Sequence, residues 1–336
     1  MRVVFLGTPP FAVPSLEALL AAGHEVLAVF TQPDRPKGRS QSLTASAVKH
    51  AALARQIPVF QPERIRRPES VEQLREYHPD LAVVVGYGQI IPQSIIDIPP
   101  HGILNVHASL LPKYRGAAPI QWAIANGETE TGVTIMRIDA GLDTGDMLRK
   151  VVTPISPVET APVLSQRLAT LGAAALIETL RDVELGLAKP EKQNSAEATL
   201  APMLKKEDGL ADWSLPAAAL YNRWRGFHPW PGLHTTLRGQ SLQIWRAQPG
   251  GGIAETAPGA IRDAAPGSIE DAPPGSIADA PPGAIRILKK RVFAVCGDGA
   301  TLELLDLQLA GKKRMPVEPF LNGYHLTEKD TFGDLT

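Results

Sequence analysis

Apolar and polar positions along the first half of the chain follow two periods. Nearly continuous apolar runs predict strands at 2–6, 25–30, 57–60, 81–85 and 102–106, since a strand buried on both faces of a sheet keeps no polar side. Between them, helical spacing predicts helices at 15–22, 45–56, 70–77 and 118–125, then a strand at 132–138 and a long Ala/Leu-rich helix over 160–187. Strands alternating with helices imply a Rossmann-like α/β domain with a mainly parallel sheet. A polar stretch at 31–44, TQPDRPKGRSQSLT, reads as a loop.

From 189 to 208 the periodicity stops. KPEKQNSAEATLAPMLKKED is polar, aperiodic and proline-containing, the composition of a linker. A short helix at 216–225 follows, and then alternating segments: 233–237 with 242–247, and 292–295 with 301–309, each pair flanking a turn. Several short strands in this span imply an OB-like β-barrel. The expected organisation is a catalytic domain over 1–188, a linker over 189–208 and a barrel domain over 209–336. One oddity lies inside the barrel. From 258 the chain repeats as PGAIRDAA, PGSIEDAP, PGSIADAP, PGAIRILK, units shorter than the roughly 20 or more residues usual in solenoids. This reads as duplication of one barrel segment, an insertion over about 257–284 in a surface loop, where extra length is tolerated.

Composition narrows the partners. Apolar residues are 44% and charged residues 21% of the chain, with a net charge of −1, so no global field draws in a polyanion and local basic patches would have to do so. One such patch exists: between 282 and 314 there are seven Lys/Arg against three Asp/Glu. The lone Cys296 excludes an intramolecular disulfide and a cysteine-based zinc site, and no metal is expected. There is no signal peptide, and no apolar stretch approaches the roughly 20 residues of a membrane span. The expectation is a cytoplasmic protein away from membranes.

Three clusters could carry chemistry. Asn105 and His107 stand two apart at the end of a buried strand, so their side chains share a face, and open α/β sheets bind ligands beyond the carboxyl ends of their strands. DAGLDTGD at 139–146 is a glycine-rich acidic turn after another strand, and PKYRG at 112–116 sets two cations beside the first cluster. An amide donor, an imidazole able to exchange a proton near neutral pH and a carboxylate suit acyl transfer to an amine. Taken singly, the histidine also reads as structural and the acidic turn as a plain tight turn; an EF-hand is excluded because no glutamate closes the loop. No G-x-G-x-x-G and no P-loop occurs anywhere in the chain, which removes the usual support for hydride transfer or ATP hydrolysis.

Four long strings, in order, carry a resemblance: GTPPFAVPSLEAL at 7–19, FTQPDRPKGR at 30–39, NVHASLLPKYRGAAPIQWAI at 105–124 and ETGVTIMRIDAGLDTGDML at 130–148, with FHPWPG at 227–232 in the second domain. Together they resemble the methionyl-tRNA formyltransferases of the folate-dependent formyltransferase family, over nearly the whole chain. The resemblance implies formyl transfer from 10-formyltetrahydrofolate to the amino group of methionyl-initiator tRNA by a monomer. It implies a catalytic trio of Asn105, His107 and Asp143, with Asn105 and His107 binding the formyl oxygen and Asp143 orienting His107. Ser109, Leu110, Leu111 and Pro112 match the family's folate-binding stretch, and Val85, Gly86 and Tyr87 would wall the same pocket. Thr31–Ser46 matches its tRNA-reading loop, with Arg39 at the reading position and Arg35 and Lys37 beside it. Lys205, Lys206, Arg286, Lys289, Lys290, Arg291, Lys312, Lys313 and Arg314 would track tRNA phosphates. The chain departs from the family's usual pattern at Pro10 and Ala108. The closest rival readings share the N-x-H chemistry: a 10-formyltetrahydrofolate hydrolase and a sugar-amine formyltransferase. The basic barrel and the FTQPDRPKGR loop favour tRNA.

Overall fold

The computed structural model describes residues 1–37, 42–250 and 280–333, and its chain divides into two units. The first comprises Met1–Ile120, Glu130–Pro154 and Val163–Met203; the second comprises Gln121–Thr129, Ile155–Pro162 and Leu204–Thr336. Through residue 184 the elements are β1 (Arg2–Gly7), α1 (Val13–Ala21), β2 (Glu25–Phe30), β3 (Arg35–Lys37), β4 (Ser42–Thr44), α2 (Ala47–Ala54), β5 (Val59–Phe60), α3 (Pro68–Glu76), β6 (Leu81–Val85), α4 (Gln93–Ile96), β7 (Ile103–His107), α5 (Pro119–Ala125), β8 (Glu130–Arg137), β9 (Met147–Pro154) and α6 (Ala161–Glu184).

Seven of these strands form one sheet in the order β5-β2-β1-β6-β7-β8-β9. From β5 to β7 the ladder is parallel; β8 and β9 join antiparallel. The Rossmann-like, mainly parallel sheet expected from the apolar runs is present. β6 and β7 are buried along their whole length, which is why LAVVV and ILNVH lack alternation. Asn105 and His107 are the polar exceptions in β7, and burying such groups is unfavourable unless they find partners. Two differences from the sequence pattern matter. His107 ends β7 rather than following it. The polar stretch at 31–44 is no featureless loop: β3 and β4 pair antiparallel, Arg35 opposite Thr44. The stem of that hairpin is fixed by charge and amide together. Lys49 Nζ lies 2.6 Å from Asp34 Oδ2 and 2.7 Å from Gln61 Oε1, and Gln61 Nε2 donates to Asp34 Oδ1. The Lys49 hydrogen bond holds the Asp34 carboxyl below its ordinary range.

The second unit contains α7 (Ala217–Phe227), β10 (Leu233–Leu237), β11 (Gln240–Pro249), β12 (Ile285–Leu288), β13 (Arg291–Val295), β14 (Thr301–Leu309), β15 (Met315–Pro316) and α8 (Val317–Tyr324). Its strands are antiparallel, ordered β10-β11-β14-β13-β12, with β15 on β14. Both expected hairpins are present. β10 alternates buried and half-buried positions, as a strand with one face in a core must. The open edges β10 and β12 are bridged by the chain's last described segment. Leu237 pairs with Phe332 and Ala284 with Thr331; Phe332 N donates to Gly283 O at 2.9 Å and Gly333 N to Thr236 O at 3.0 Å. The sheet therefore closes on itself as a barrel, which removes its exposed edges. Phe332 is buried and stacks on Trp213 with centroids 5.6 Å apart. The fourth copy of the octapeptide supplies β12; residues 258–279 of the repeat lie outside the described residues. No helix among the described residues is long and apolar enough to cross a membrane.

The bridging segment is anchored by Asp330. Arg238 donates to it through Nε and Nη2, the latter at 2.7 Å, and Thr327 N donates at 2.8 Å. The Arg238 hydrogen bond leads the causes that lower the Asp330 carboxyl to about 2. A carboxylate depressed on folding stabilises the native state above its unfolded value of about 3.9, and that contribution fades as pH falls through its folded value. With Arg238 half exposed, roughly 1–2 kcal/mol is at stake. Asp330→Asn is expected to lower the unfolding free energy of this unit by that amount at pH 7. The gap between variant and parent should close between about pH 4 and pH 2, read from urea melts across that range.

Candidate active site

Chain order sets where a ligand can sit. From β1 the strand order runs outward through β2 and β5, then returns to place β6 on the other flank of β1. The carboxyl ends of β1 and β6 therefore form a topological switch point, where open α/β sheets bind ligands. Two glycines let the backbones meet there. A Cβ on Gly86 (φ +57°) would lie 2.8 Å from Pro9 Cγ, and one on Gly7 would lie 2.7 Å from the Phe5 ring. Thr8 Oγ1 and Gln32 Nε2 both donate to Tyr87 O, each at 3.1 Å.

Asn105 and His107 project beside this point from β7. His107 Nε2 lies 2.9 Å from Tyr114 O. A carbonyl oxygen only accepts, so Nε2 carries a hydrogen in either charge state. Nδ1 is therefore the nitrogen that gains or loses a proton, and it lies 3.7 Å from Asp143 Oδ2. Asn105 Nδ2 lies 3.5 Å from Asp143 Oδ1. The three side chains singled out in the sequence thus converge, with Asn105 8% and His107 6% exposed.

Residues 108–118 wrap this cluster, and Thr134 of β8 holds the wrap in place. Thr134 Oγ1 donates to Ser109 O at 2.7 Å and accepts from Leu111 N at 3.1 Å. Ser109 Oγ donates to Lys113 O at 2.6 Å. Tyr114 turns through the left-handed region (φ +61°), which directs its carbonyl to His107. The Asp143 turn is held as firmly. Asp139 Oδ1 accepts from Gly141 N and from Thr144 Oγ1, and a Cβ on Gly145 would collide with Arg137 O at 1.9 Å. Asp143 Oδ2 accepts from Gly116 N at 2.8 Å.

The remaining predicted residues fall as follows. Ser109, Leu111 and Pro112 are buried and Leu110 half-buried; Leu111 packs with Met136 and Met147. Val85 is in the core, as is the Tyr87 ring, whose burial pushes its hydroxyl pKa up. These residues shape the site chiefly through backbone. Arg35 is exposed on β3; Arg39 lies outside the described residues, as does the Lys37 side chain. In the second unit Lys205, Lys206, Lys289, Lys312 and Lys313 are exposed. Lys290 pairs with Glu318, Arg291 with Glu303 and Arg314 with Asp306, while Arg286 is half-buried and bonds Ile285 O. Three cations of the 282–314 stretch are thus paired locally, two of them with acids of the same stretch. Of the two cations in PKYRG, Lys113 is exposed and Arg115 is buried. Sequence patterns gave no hint of Thr134, of the Gly116 amide or of Gln193, whose Nε2 donates to Asp143 O and Gly145 O. Among the described residues no group of three or more His, Cys, Asp or Glu is placed to hold a metal.

Similarity to known proteins identifies the family. Residues 1–180 match the family model described as formyl transferase, and residues 203–325 match the formyl transferase C-terminal domain. A methionyl-tRNA formyltransferase from Solibacter usitatus is 55% identical over 99% of both chains, and one from Acidobacterium capsulatum is 51% identical over 99% of this chain and 100% of its own. Among solved structures, the sugar 3N-formyl transferase WlaRD, determined in the presence of dTDP and 5-N-formyl-THF, has a TM-score of 0.63 at 18% identity, covering 93% of this chain and 99% of its own. HypX from Aquifex aeolicus in complex with tetrahydrofolic acid has a TM-score of 0.60 at 17% identity, covering 96% of this chain and 47% of its own. These two establish the fold alone. Full-length identity near one half to enzymes of a single name goes further: the chain belongs to the methionyl-tRNA formyltransferase family.

Proposed function

We propose that this cytoplasmic enzyme transfers a formyl group from 10-formyltetrahydrofolate to the amino group of methionine on initiator tRNA. The observation that carries this reading is the convergence of Asn105, His107 and Asp143 beyond the end of β7, in a chain of this family. The donor set suits the co-substrate: an amide and an imidazole stand within 3.7 Å of one carboxylate, beside the folded 108–116 backbone. When bound, 10-formyltetrahydrofolate supplies a one-carbon unit at the formyl level. Asn105 Nδ2 donates to the formyl oxygen as negative charge grows there, and protonated His107 adds Nδ1–H beside it. Each such donor is typically worth about 10²–10³ in rate. Tyr114 O fixes the ring through Nε2, so the reacting nitrogen needs no reorientation. As the amine bonds to the formyl carbon it would give up a proton to the Asp143 carboxylate, with His107 remaining charged at the oxygen; when the bond from the formyl carbon to the tetrahydrofolate nitrogen breaks, that proton would pass to the departing nitrogen.

The tRNA reading rests on different residues. The hairpin of β3 and β4 has a stem fixed by Asp34, Lys49 and Gln61; Arg39, between the two strands in sequence, is assigned to an acceptor stem whose weak first pair opens at little cost. On the barrel, the exposed Lys205, Lys206, Lys312 and Lys313 are the cations best placed to meet phosphates.

Formyl transfer to charged initiator and elongator methionyl-tRNA, with 10-formyltetrahydrofolate, tests the function. Transfer with a strong initiator preference is expected; absence of transfer refutes the reading, and equal rates on both tRNAs refute the role of the hairpin. Arg39→Ala should cut kcat/KM for initiator tRNA about tenfold or more and leave folate binding unchanged, as read by steady-state kinetics and folate titration. Asp143→Asn should lower kcat by two to four orders of magnitude, on the order of 3–5 kcal/mol of transition-state stabilisation, with an unchanged unfolding curve.

A further inference from the structure

Asp143 has φ +51°. A non-glycine residue enters that left-handed region at a cost of about 1 kcal/mol or more and stays there only when its surroundings over-determine it. Glycine would relieve the strain but would remove the carboxylate. What holds Asp143 comes from a segment that reads as an aperiodic linker.

Gln193 Nε2 donates to Asp143 O and to Gly145 O, both at 2.8 Å. Its Oε1 accepts from Arg115 Nε at 3.0 Å and from Arg115 Nη2 at 2.8 Å. An amide has two N–H donors and two lone pairs, so this side chain is fully used. Its orientation is also unambiguous, because a guanidinium only donates and the two carbonyls only accept. Arg115 cannot swing away. It is buried, and its backbone is stitched on both sides: Arg115 N donates to Thr199 O at 2.9 Å, and Ala201 N donates to Arg115 O at 2.7 Å. The next residue, Gly116, donates directly to Asp143 Oδ2. One short stretch, 115–116, therefore grips Asp143 twice, at its carboxylate through Gly116 and at its backbone through Gln193.

We propose that Gln193 is a positioning residue for formyl transfer: oriented by Arg115, its amide bridges the carbonyls of Asp143 and Gly145 and so aims the Asp143 carboxylate at His107 and Asn105. This rests on the assignment of those three residues to the reaction. Asp143 conformation is thereby tied to where 189–203 lies, since Gln193, Thr199 and Ala201 hold the same wrap.

Gln193→Glu tests the idea with one atom. It keeps the volume and the pairing with Arg115, but turns an acceptor oxygen toward two carbonyl oxygens. The expected result is a ten- to hundredfold loss of kcat, with KM for 10-formyltetrahydrofolate and for methionyl-tRNA within about twofold of the parent. Gln193→Met, which lacks both donor and acceptor, should show the same split and decides the matter where the glutamate variant folds poorly. A double-mutant cycle with Asp143→Asn supplies the readout a merely structural role would not move. If Gln193 acts through Asp143, Gln193→Glu should cost less than about threefold further in the Asp143→Asn background, measured under single-turnover conditions. An unchanged kcat in both single variants, or an equal loss in both backgrounds, overturns the proposal while leaving Asp143 in place. An Asp143→Asn enzyme with full activity overturns the reading of the site itself.

Discussion

A carboxylate has to stand in a cramped space next to an imidazole, and the backbone that carries it does not rest there by preference. Much of the local architecture answers that constraint. The acidic turn supplies its own Asp139 bracket, the wrap after β7 supplies the Gly116 amide, and the polar segment past α6 supplies Gln193. Each contact alone is worth about 1 kcal/mol net. Two act on Asp143 itself and one on the turn that flanks it, and together they make its geometry stiffer than any one would. Stiffness is what the chemistry needs, since donors aimed beforehand at a developing charge spend nothing on reorganisation during reaction.

The same logic separates two kinds of residue in the wrap. Ser109 and Thr134 spend their hydroxyls on neighbouring backbone, so they act as struts rather than ligands. His107 commits Nε2 to Tyr114 O and keeps Nδ1 for exchange. Similarity to a family cannot make that division, because a motif names positions and not atoms. The hydrogen-bond partners make it.

Legibility followed burial. β1, β2, β6 and β7 were evident because both faces are covered and the sequence has no choice but to be apolar. β9 was not, since MLRKVVTP at the sheet edge mixes exposed and buried positions and carries charges outward. The short β3–β4 pairing has too few positions for any period to show, and α8 contains Pro319 and Gly323 within VEPFLNGY. Asn105 and His107 were legible as polar residues where a buried strand ends, and the acidic turn 139–146 as a glycine-rich loop, but only the family resemblance picked Asp143 out of its three aspartates. Gln193 was not legible, for a physical reason: its partners are backbone carbonyls and one guanidinium, and such bonds leave no hydrophobic pattern along the chain. Likewise the stretch 199–201 is tied to Arg115 through main-chain groups, which polar composition cannot reveal. The basic patch was legible as composition, but composition could not say which cations are paired: Glu318, Glu303 and Asp306 lie against Lys290, Arg291 and Arg314.

Four related octapeptides precede or form one strand of the barrel, and only the last has the side chains for it. In PGAIRILK, Ile285 is fully buried and faces Ala294, while Ile287 packs on the core opposite Val292. The earlier copies keep the isoleucine corresponding to Ile285 but place Asp263, Asp271 and Asp279 where Ile287 stands. A slip of one repeat would therefore set a carboxylate against Val292, which is itself fully buried, and an unpaired charge there is heavily penalised. It would also replace Leu288 with alanine, losing a further partly covered side chain. The shared Pro-Gly does not discriminate, since every copy can offer the glycine that lets Phe332 O approach Gly283 (φ +86°) closely. Register here is selected by one alternation, isoleucine against aspartate two residues along, the kind of device by which a repetitive sequence still specifies a single strand pairing.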